Sequence, residues 1–123
     1  MDIFKQLEKL STNSLVDYDN ICKKSSALVI TENGNEIFGV GIVLRTTNIQ
    51  TTAISNTICR AVSEGYIRFK KLYVYIASDD VNDLTIDIET KALLDEFGIN
   101  EFTLFTYNGD MHIQRVEKNI YPI

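Results

Sequence analysis

The stretch Ala27–Leu44, ALVITENGNEIFGVGIVL, carries the strongest fold signal in the chain. Two apolar runs, Ala27–Thr31 and Ile37–Leu44, flank the dipeptide Asn33-Gly34. Asn-Gly between apolar runs predicts a β-hairpin, because both residues tolerate the positive φ of a tight turn. Two glycines inside the second run predict a close backbone approach or a bulge.

Outward from this hairpin, the apolar spacing alternates between helix and strand. We predict a first helix at 3–10, capped by Asp2. A second helix ends at Gly65 and a third ends at Gly98; their apolar faces are Ile54, Ile58, Ala61 and Val62, and Ile86, Leu93, Leu94 and Phe97. We predict strands at 72–77, which is buried, at 102–107 and at 111–113. Residues 15–24 fit either a loop or a short helix, and the tail 116–123 fits a final turn. The order α-β-β-α-β-α-β-β predicts an α/β fold, with a mixed five-stranded sheet and helices on both faces.

Composition narrows the function classes. The chain has 123 residues, which suits one domain, and a formal net charge of −5. An acidic balance argues against nucleic-acid binding, and no apolar run has the roughly 20 residues that a membrane helix needs. Two cysteines, Cys22 and Cys59, and a start without a signal-peptide pattern favour the cytoplasm.

Several local strings resemble the cytidine deaminase family. Ala61-Val62-Ser63-Glu64-Gly65 is similar to the family segment AVSEG, which closes the helix of its first metal motif. Leu94-Asp95-Glu96-Phe97-Gly98 resembles the LxEFG segment after the second motif, and 116–122 resembles the VEELLP tail. The resemblance covers nearly the whole chain. It implies a three-layer α/β/α cytidine-deaminase-like domain over residues 1–123, and self-association as a dimer or tetramer.

The departures from this family bear on chemistry. The resemblance implies zinc held by three thiolate or imidazole ligands at two helix N-termini, with a glutamate as proton shuttle. Counted back from the two helix ends, Thr52, Asp87 and Thr90 occupy the ligand positions, and Ile54 occupies the glutamate position. The family's sugar-binding positions fall on Gly41 and Val43, and its base-stacking phenylalanine falls near Lys23. We therefore expect no metal and no cofactor, and we treat these seven residues as a degenerate pocket with possible ligand contacts.

Each of these residues also has a structural interpretation. Thr52 and Asp87 fall where helices begin, so capping is the favoured role, with contact to a ligand or to a hard cation as the alternative. Ile54 fits a pocket-filling residue and an ordinary core residue equally well. Cys22, Cys59 and His112 have no close-pair spacing, so they do not predict a replacement zinc set.

The expected function is that of a protein that is not an enzyme. It would be a homo-oligomeric cytidine-deaminase-fold module that binds a nucleoside-like or nucleotide-like molecule, or a protein partner. The alternative is a hydrolase: a deaminase that acts on a nucleoside or related amine with an atypical metal site.

Overall fold

The structure, a computed structural model, describes residues 2–16, 23–44 and 47–116. Three helices and eight strands follow one another in these residues: α1 Ile3–Ser11, β1 Leu15–Val16, β2 Ser25–Thr31, β3 Glu36–Val40, β4 Ile42–Leu44, β5 Ile49–Thr51, α2 Ala53–Ser63, β6 Phe69–Ile76, α3 Ile88–Glu96, β7 Glu101–Phe105 and β8 Met111–Arg115. A short 3₁₀ helix, Val81–Asp83, lies between β6 and α3.

The main sheet contains five strands in the order β3-β2-β6-β7-β8. Strands β6 and β7 run parallel, joined by α3, and the other neighbouring pairs are antiparallel. The predicted hairpin joins β2 and β3, and Gly34 in its turn has a φ of 88°. This architecture confirms the predicted α/β fold with a mixed five-stranded sheet.

Helices cover both faces of this sheet, in three layers. On one face, Leu7 of α1 packs in a cluster with Leu28, Tyr75 and Phe105. On the other face, α2 and α3 contribute to a larger core whose members are Ala27, Val29, Ile37, Ala53, Ile54, Ile58, Ala61, Leu72, Val74, Ile76, Leu94, Phe102 and Leu104. The side chains of β6 therefore alternate between the two faces, because Tyr73 and Tyr75 face α1 while Leu72, Val74 and Ile76 face α2 and α3.

The predicted strand at 37–44 is wrong in one respect, since it divides at Gly41. The segment after Gly41 forms β4, which belongs to a separate small sheet in the order β1-β4-β5. A Cβ atom at Gly41 would collide with the Ser25 side chain, so the chain passes β2 closely and turns away from the main sheet there. Strands of two or three residues show too little periodicity to be recognised in sequence.

Two residues of the predicted apolar helix faces do not belong to the buried faces of the helices. Ile86 precedes α3, whose N-cap is Asp87, and it is 38% exposed. Val62 lies on α2 but is 41% exposed, because it lies outside the stripe of Ile54, Ile58 and Ala61. The predicted final turn at 116–123 falls almost wholly outside the described residues, as does most of the ambiguous segment 15–24.

Candidate functional site

The N-terminus of α2 forms one wall of a cavity at one end of the main sheet, where β2 begins and β6 ends. Strands β4 and β5 and the end of β6 supply further walls, and the loop between β6 and α3 closes one side. The cavity has a volume of about 40 Å³. Its lining residues are Lys23, Ser25, Gly41, Val43, Gln50, Thr51, Thr52, Ala53, Ile54, Ile76, Asp83, Leu84 and Thr85. We call this feature the α2 cavity.

Thr52 begins α2 as its N-cap. The backbone is extended at this residue, and its Oγ1 accepts a hydrogen bond from the Ser55 N–H at 3.1 Å. Such a bond satisfies one of the amide groups that the first turn of a helix leaves unpaired. Asn56 fixes the same turn against the strands, because its Nδ2 donates to the Val40 carbonyl at 2.7 Å and to Thr51 Oγ1 at 3.0 Å.

Asp87 begins α3 in the same way. Its Oδ1 accepts a hydrogen bond from the Thr90 N–H at 2.8 Å, in the first turn of the helix. The carboxylate also lies at the positive end of the helix dipole, where a negative charge is favourable. The capping interpretation of Thr52 and Asp87 therefore agrees with the geometry at both helices.

The two helix N-termini meet through two hydroxyl groups. Thr52 Oγ1 and Thr90 Oγ1 lie 2.6 Å apart and form a hydrogen bond in which either can be the donor. Thr90 is fully buried. The resemblance placed both residues at ligand positions of one zinc site, but it gave no indication that their side chains would bond directly.

Ile54 has both of the roles that the sequence left open. It is 1% exposed and belongs to the larger core cluster, and it also lines the α2 cavity. An aliphatic side chain cannot transfer a proton, so this position contributes shape and dryness to the cavity rather than acid–base chemistry.

One amine and one carboxylate line the α2 cavity. Lys23 lies just before β2, and Asp83 ends the 3₁₀ helix. Asp83 accepts a hydrogen bond from the Ser78 hydroxyl, which itself accepts the Asp80 N–H at 3.1 Å. These bonds hold the loop after β6 in place and orient the carboxylate.

Five of the seven predicted pocket residues line the α2 cavity: Lys23, Gly41, Val43, Thr52 and Ile54. Asp87 and Thr90 do not line it. Thr90 bonds directly to Thr52, and Asp87 caps α3, the helix whose first turn contains Thr90. Sequence reasoning missed the polar lining from β2, β5 and the loop after β6, namely Ser25, Gln50, Thr51, Asp83 and Thr85. Only the three-dimensional path of the short strands brings these residues to the cavity.

The fold and this site define a mixed α/β protein with two helix N-termini beside one end of its sheet. The solved structures that it resembles are cytidine deaminases. The crystal structure of cytidine deaminase from Burkholderia pseudomallei matches with a TM-score of 0.74 at 14% identity, over 93% of this chain and 90% of that one. Cytidine deaminase from Mycobacterium leprae matches with a TM-score of 0.61 at 20% identity, over 94% and 95% of the two chains. Cytidine deaminase from Mycobacterium tuberculosis matches with a TM-score of 0.60 at 15% identity, over 85% of each chain.

These likenesses show a cytidine-deaminase-like fold. No protein-family model matches the sequence, and no curated protein matches it either. The prediction that the chain is not an enzyme is contradicted, and we correct it: the solved structures that match it so strongly are those of enzymes. That prediction rested on residue identities at a few positions, and such positions do not exclude other catalytic chemistry on the same scaffold.

The side chains at the two helix N-termini do not fit a zinc ion. Zinc takes thiolate, imidazole or carboxylate ligands, whereas Thr52 and Thr90 offer hydroxyl groups that bond to each other. The remaining donor, the Asp87 carboxylate, already accepts a backbone amide. Within 2–16, 23–44 and 47–116, no group of three or more His, Cys, Asp or Glu side chains is placed to hold a metal ion.

Proposed function

We propose that this chain, with its cytidine-deaminase-like fold, binds a small nucleoside-like molecule at the α2 cavity. The observation that carries the proposal is the lining of that cavity at the N-terminus of α2. Hydroxyl and amide side chains from three elements converge there with apolar walls, the composition typical of small-molecule sites. The cytidine-deaminase-like fold supports a nucleoside-like ligand over other small polar molecules.

The charges favour a neutral ligand over a nucleotide. Lys23 supplies one positive charge, but Asp83 supplies a negative charge in the same lining. Asp87 and Glu89 add two carboxylates at the neighbouring start of α3. A phosphate would meet more negative than positive charge, whereas a nucleoside or a free base brings only hydrogen-bonding groups.

The volume sets how such a ligand binds. A cavity of about 40 Å³ holds a few water molecules. Sites for drug-sized molecules enclose roughly 300–1,000 Å³. The ligand therefore inserts one polar edge between Thr52, Gln50 and Lys23, and the rest of it lies at the open mouth of the cavity.

A thermal-shift screen tests this proposal with cytidine, uridine, cytosine, uracil and cytidine monophosphate as probes. A ligand that binds only the folded chain raises the unfolding midpoint, by an amount that grows with ligand concentration. We expect a shift with a nucleoside or base, and a smaller one with the monophosphate. Lys23→Gln should reduce the shift. Lys24→Gln is the control and should preserve the shift, because the Lys24 Nζ donates to the Thr12 carbonyl and does not line the cavity. A screen in which none of the five compounds stabilises the chain refutes the proposal.

A second candidate function, a hydrolase acting on a nucleoside or related amine, is favoured by the fold neighbours, all of which are cytidine deaminases. Ultraviolet absorbance of cytidine and deoxycytidine, followed in the same samples, tests whether a bound nucleoside is also converted. Turnover that disappears in Thr52→Val would assign the chemistry to this site.

We also propose that residues 1–123 fold as one domain and that this domain associates with a second copy of itself. We place the protein in the cytoplasm as part of the same proposal. Large apolar side chains that are exposed in the isolated chain support the association, including Ile67, Ile88, Met111 and Ile113. No helix within the described residues is long and apolar enough to cross a membrane.

A further inference from the structure

The junction between α2 and α3 brings together two helix ends of the same polarity. Each N-terminus carries a partial positive charge from the aligned peptide dipoles, so two N-termini side by side repel each other. The first turn of α2 contains no acidic residue. The first turn of α3 contains Glu89 and is preceded by its cap, Asp87. These two carboxylates are the negative charges that offset the repulsion between the helix ends.

The hydroxyl pair at this junction forms a direct bond between the two helices. Thr52 Oγ1 accepts a hydrogen bond from the Ser55 N–H. It also forms a hydrogen bond with Thr90 Oγ1, and the two oxygens lie 2.6 Å apart. A hydroxyl has one proton and two lone pairs, so Thr52 can cap its own helix and hold the neighbouring helix at the same time. Because Thr90 is fully buried, the bond lies away from competing water, and losing it leaves a polar group unsatisfied.

We infer that the Thr52–Thr90 hydrogen bond, with the Asp87 cap beside it, holds α2 and α3 together without any metal ion. A divalent cation at this point would add positive charge between two positive helix ends, facing two hydroxyls that bond to each other and a carboxylate whose Oδ1 accepts a backbone amide. The junction is complete as it stands, since no buried side-chain nitrogen or oxygen in the described residues lacks a hydrogen-bond partner. This inference concerns the assembly of the helix ends and does not depend on the proposed ligand.

A double-substitution cycle on the purified full chain tests the bond. Thr90→Val keeps the side-chain shape and both N-caps but removes the hydroxyl pair, so the unfolding midpoint should fall by about 4 °C or more. Thr52→Val removes the pair and one cap. If the two hydroxyls act through each other, the double variant loses less stability than the sum of the single losses.

Thr57→Val supplies the matched control. Thr57 is fully buried like Thr90 and lies on α2, but its Oγ1 donates at 3.3 Å to the Ala27 carbonyl of β2 rather than bonding to Thr52. The losses for Thr52→Val and Thr57→Val should therefore add. Additive losses for Thr52 and Thr90 would overturn the inference.

The metal arm of the test uses the unsubstituted chain, so it holds even if a variant fails to fold. Elemental analysis should find no stoichiometric zinc, and a chelator should leave the unfolding midpoint unchanged. Either about one zinc per chain, or a fall in the midpoint on chelation, would overturn the inference. Since neither readout involves a nucleoside, failure here is distinct from failure of the proposed ligand site.

Discussion

Thr52 shows how far sequence reasoning reaches at the scale of one residue. Counting back from Gly65 placed it at the start of a helix, and the structure confirms that it caps α2. That counting relies on the resemblance to cytidine deaminases, which implies a set number of residues between the start of this helix and the segment that closes it. Its bond to Thr90 could not be predicted in the same way, because it joins positions 38 residues apart whose meeting depends on how two helices pack.

Tyr75 provides a residue-scale prediction of pH dependence. The side chain is 2% exposed, and burial raises the pKa of its phenol above 10.0, with smaller contributions from the nearby Glu8 carboxylate and Tyr107. The unfolded chain therefore releases this proton at a lower pH than the folded chain does. The stability that the neutral phenol contributes is present below pH 10 and is lost as pH rises through the raised pKa.

The measurement is the free energy of unfolding in urea between pH 8 and 11. We expect a decline at the upper end that becomes shallower in Tyr75→Phe, which cannot ionise. Tyr66→Phe, a tyrosine outside the cluster under α1, is the control and should keep the full decline. An identical decline in Tyr75→Phe and the unsubstituted chain would rule out this assignment.

At the scale of elements, the long ones were predictable and the short ones were not. The three helices and the five strands of the main sheet have enough residues for a period to show, and their turn residues agree with it. The strands β1, β4 and β5 have two or three residues each, and they form a separate small sheet where the chain turns away from the main sheet at Gly41. Gln50 and Thr51 of β5 line the α2 cavity and were hidden from sequence reasoning for the same reason, whereas Val43 of β4 was among the predicted pocket residues.

The packing of α2 on β3 depends on the absence of one side chain. A Cβ atom at Gly39 would lie 2.8 Å from the Thr57 backbone nitrogen and would also collide with its hydroxyl. Gly39→Ala must therefore push α2 away from the sheet, and overpacking of this kind typically costs about 1–3 kcal/mol. Chemical denaturation should show that loss.

Two control variants distinguish the steric collision with Thr57 from other effects of replacing a glycine. Gly34→Ala places its Cβ in open space but at a φ of 88°, so its cost reports backbone strain alone. Adding Thr57→Ala to Gly39→Ala removes the hydroxyl but leaves the backbone contact, so it should restore only part of the loss. If Gly39→Ala is as stable as the unsubstituted chain, the close contact between α2 and β3 is not present in solution.

At the scale of the whole molecule, the main sheet ends in an edge strand. Within the described part of the chain, β8 pairs only with β7. The bonds from the Val116 amide to the Asn100 carbonyl, and from the Thr106 amide to the Asp110 carbonyl, show that even-numbered residues of β8 face β7. The backbone N–H and C=O groups of the odd-numbered residues consequently point away from β7; these residues are Met111, Ile113 and Arg115. An edge of this kind is open to pairing with another strand.

The last prediction follows from this edge and from the proposed self-association. Two copies of β8 can pair antiparallel about Ile113, so that each Met111 lies opposite an Arg115 and no like charges meet. Light scattering should give a mass of at least twice 14.0 kDa for the unsubstituted chain. Ile113→Lys should shift the mass to that of the monomer, because two like charges would lie opposite each other at the centre of the pair. Ile67→Lys is the matched control, since both isoleucines are 62% exposed and Ile67 lies outside the strands, in the segment between α2 and β6. A monomeric unsubstituted chain would refute self-association, and a dimer that tolerates Ile113→Lys would move the interface away from β8.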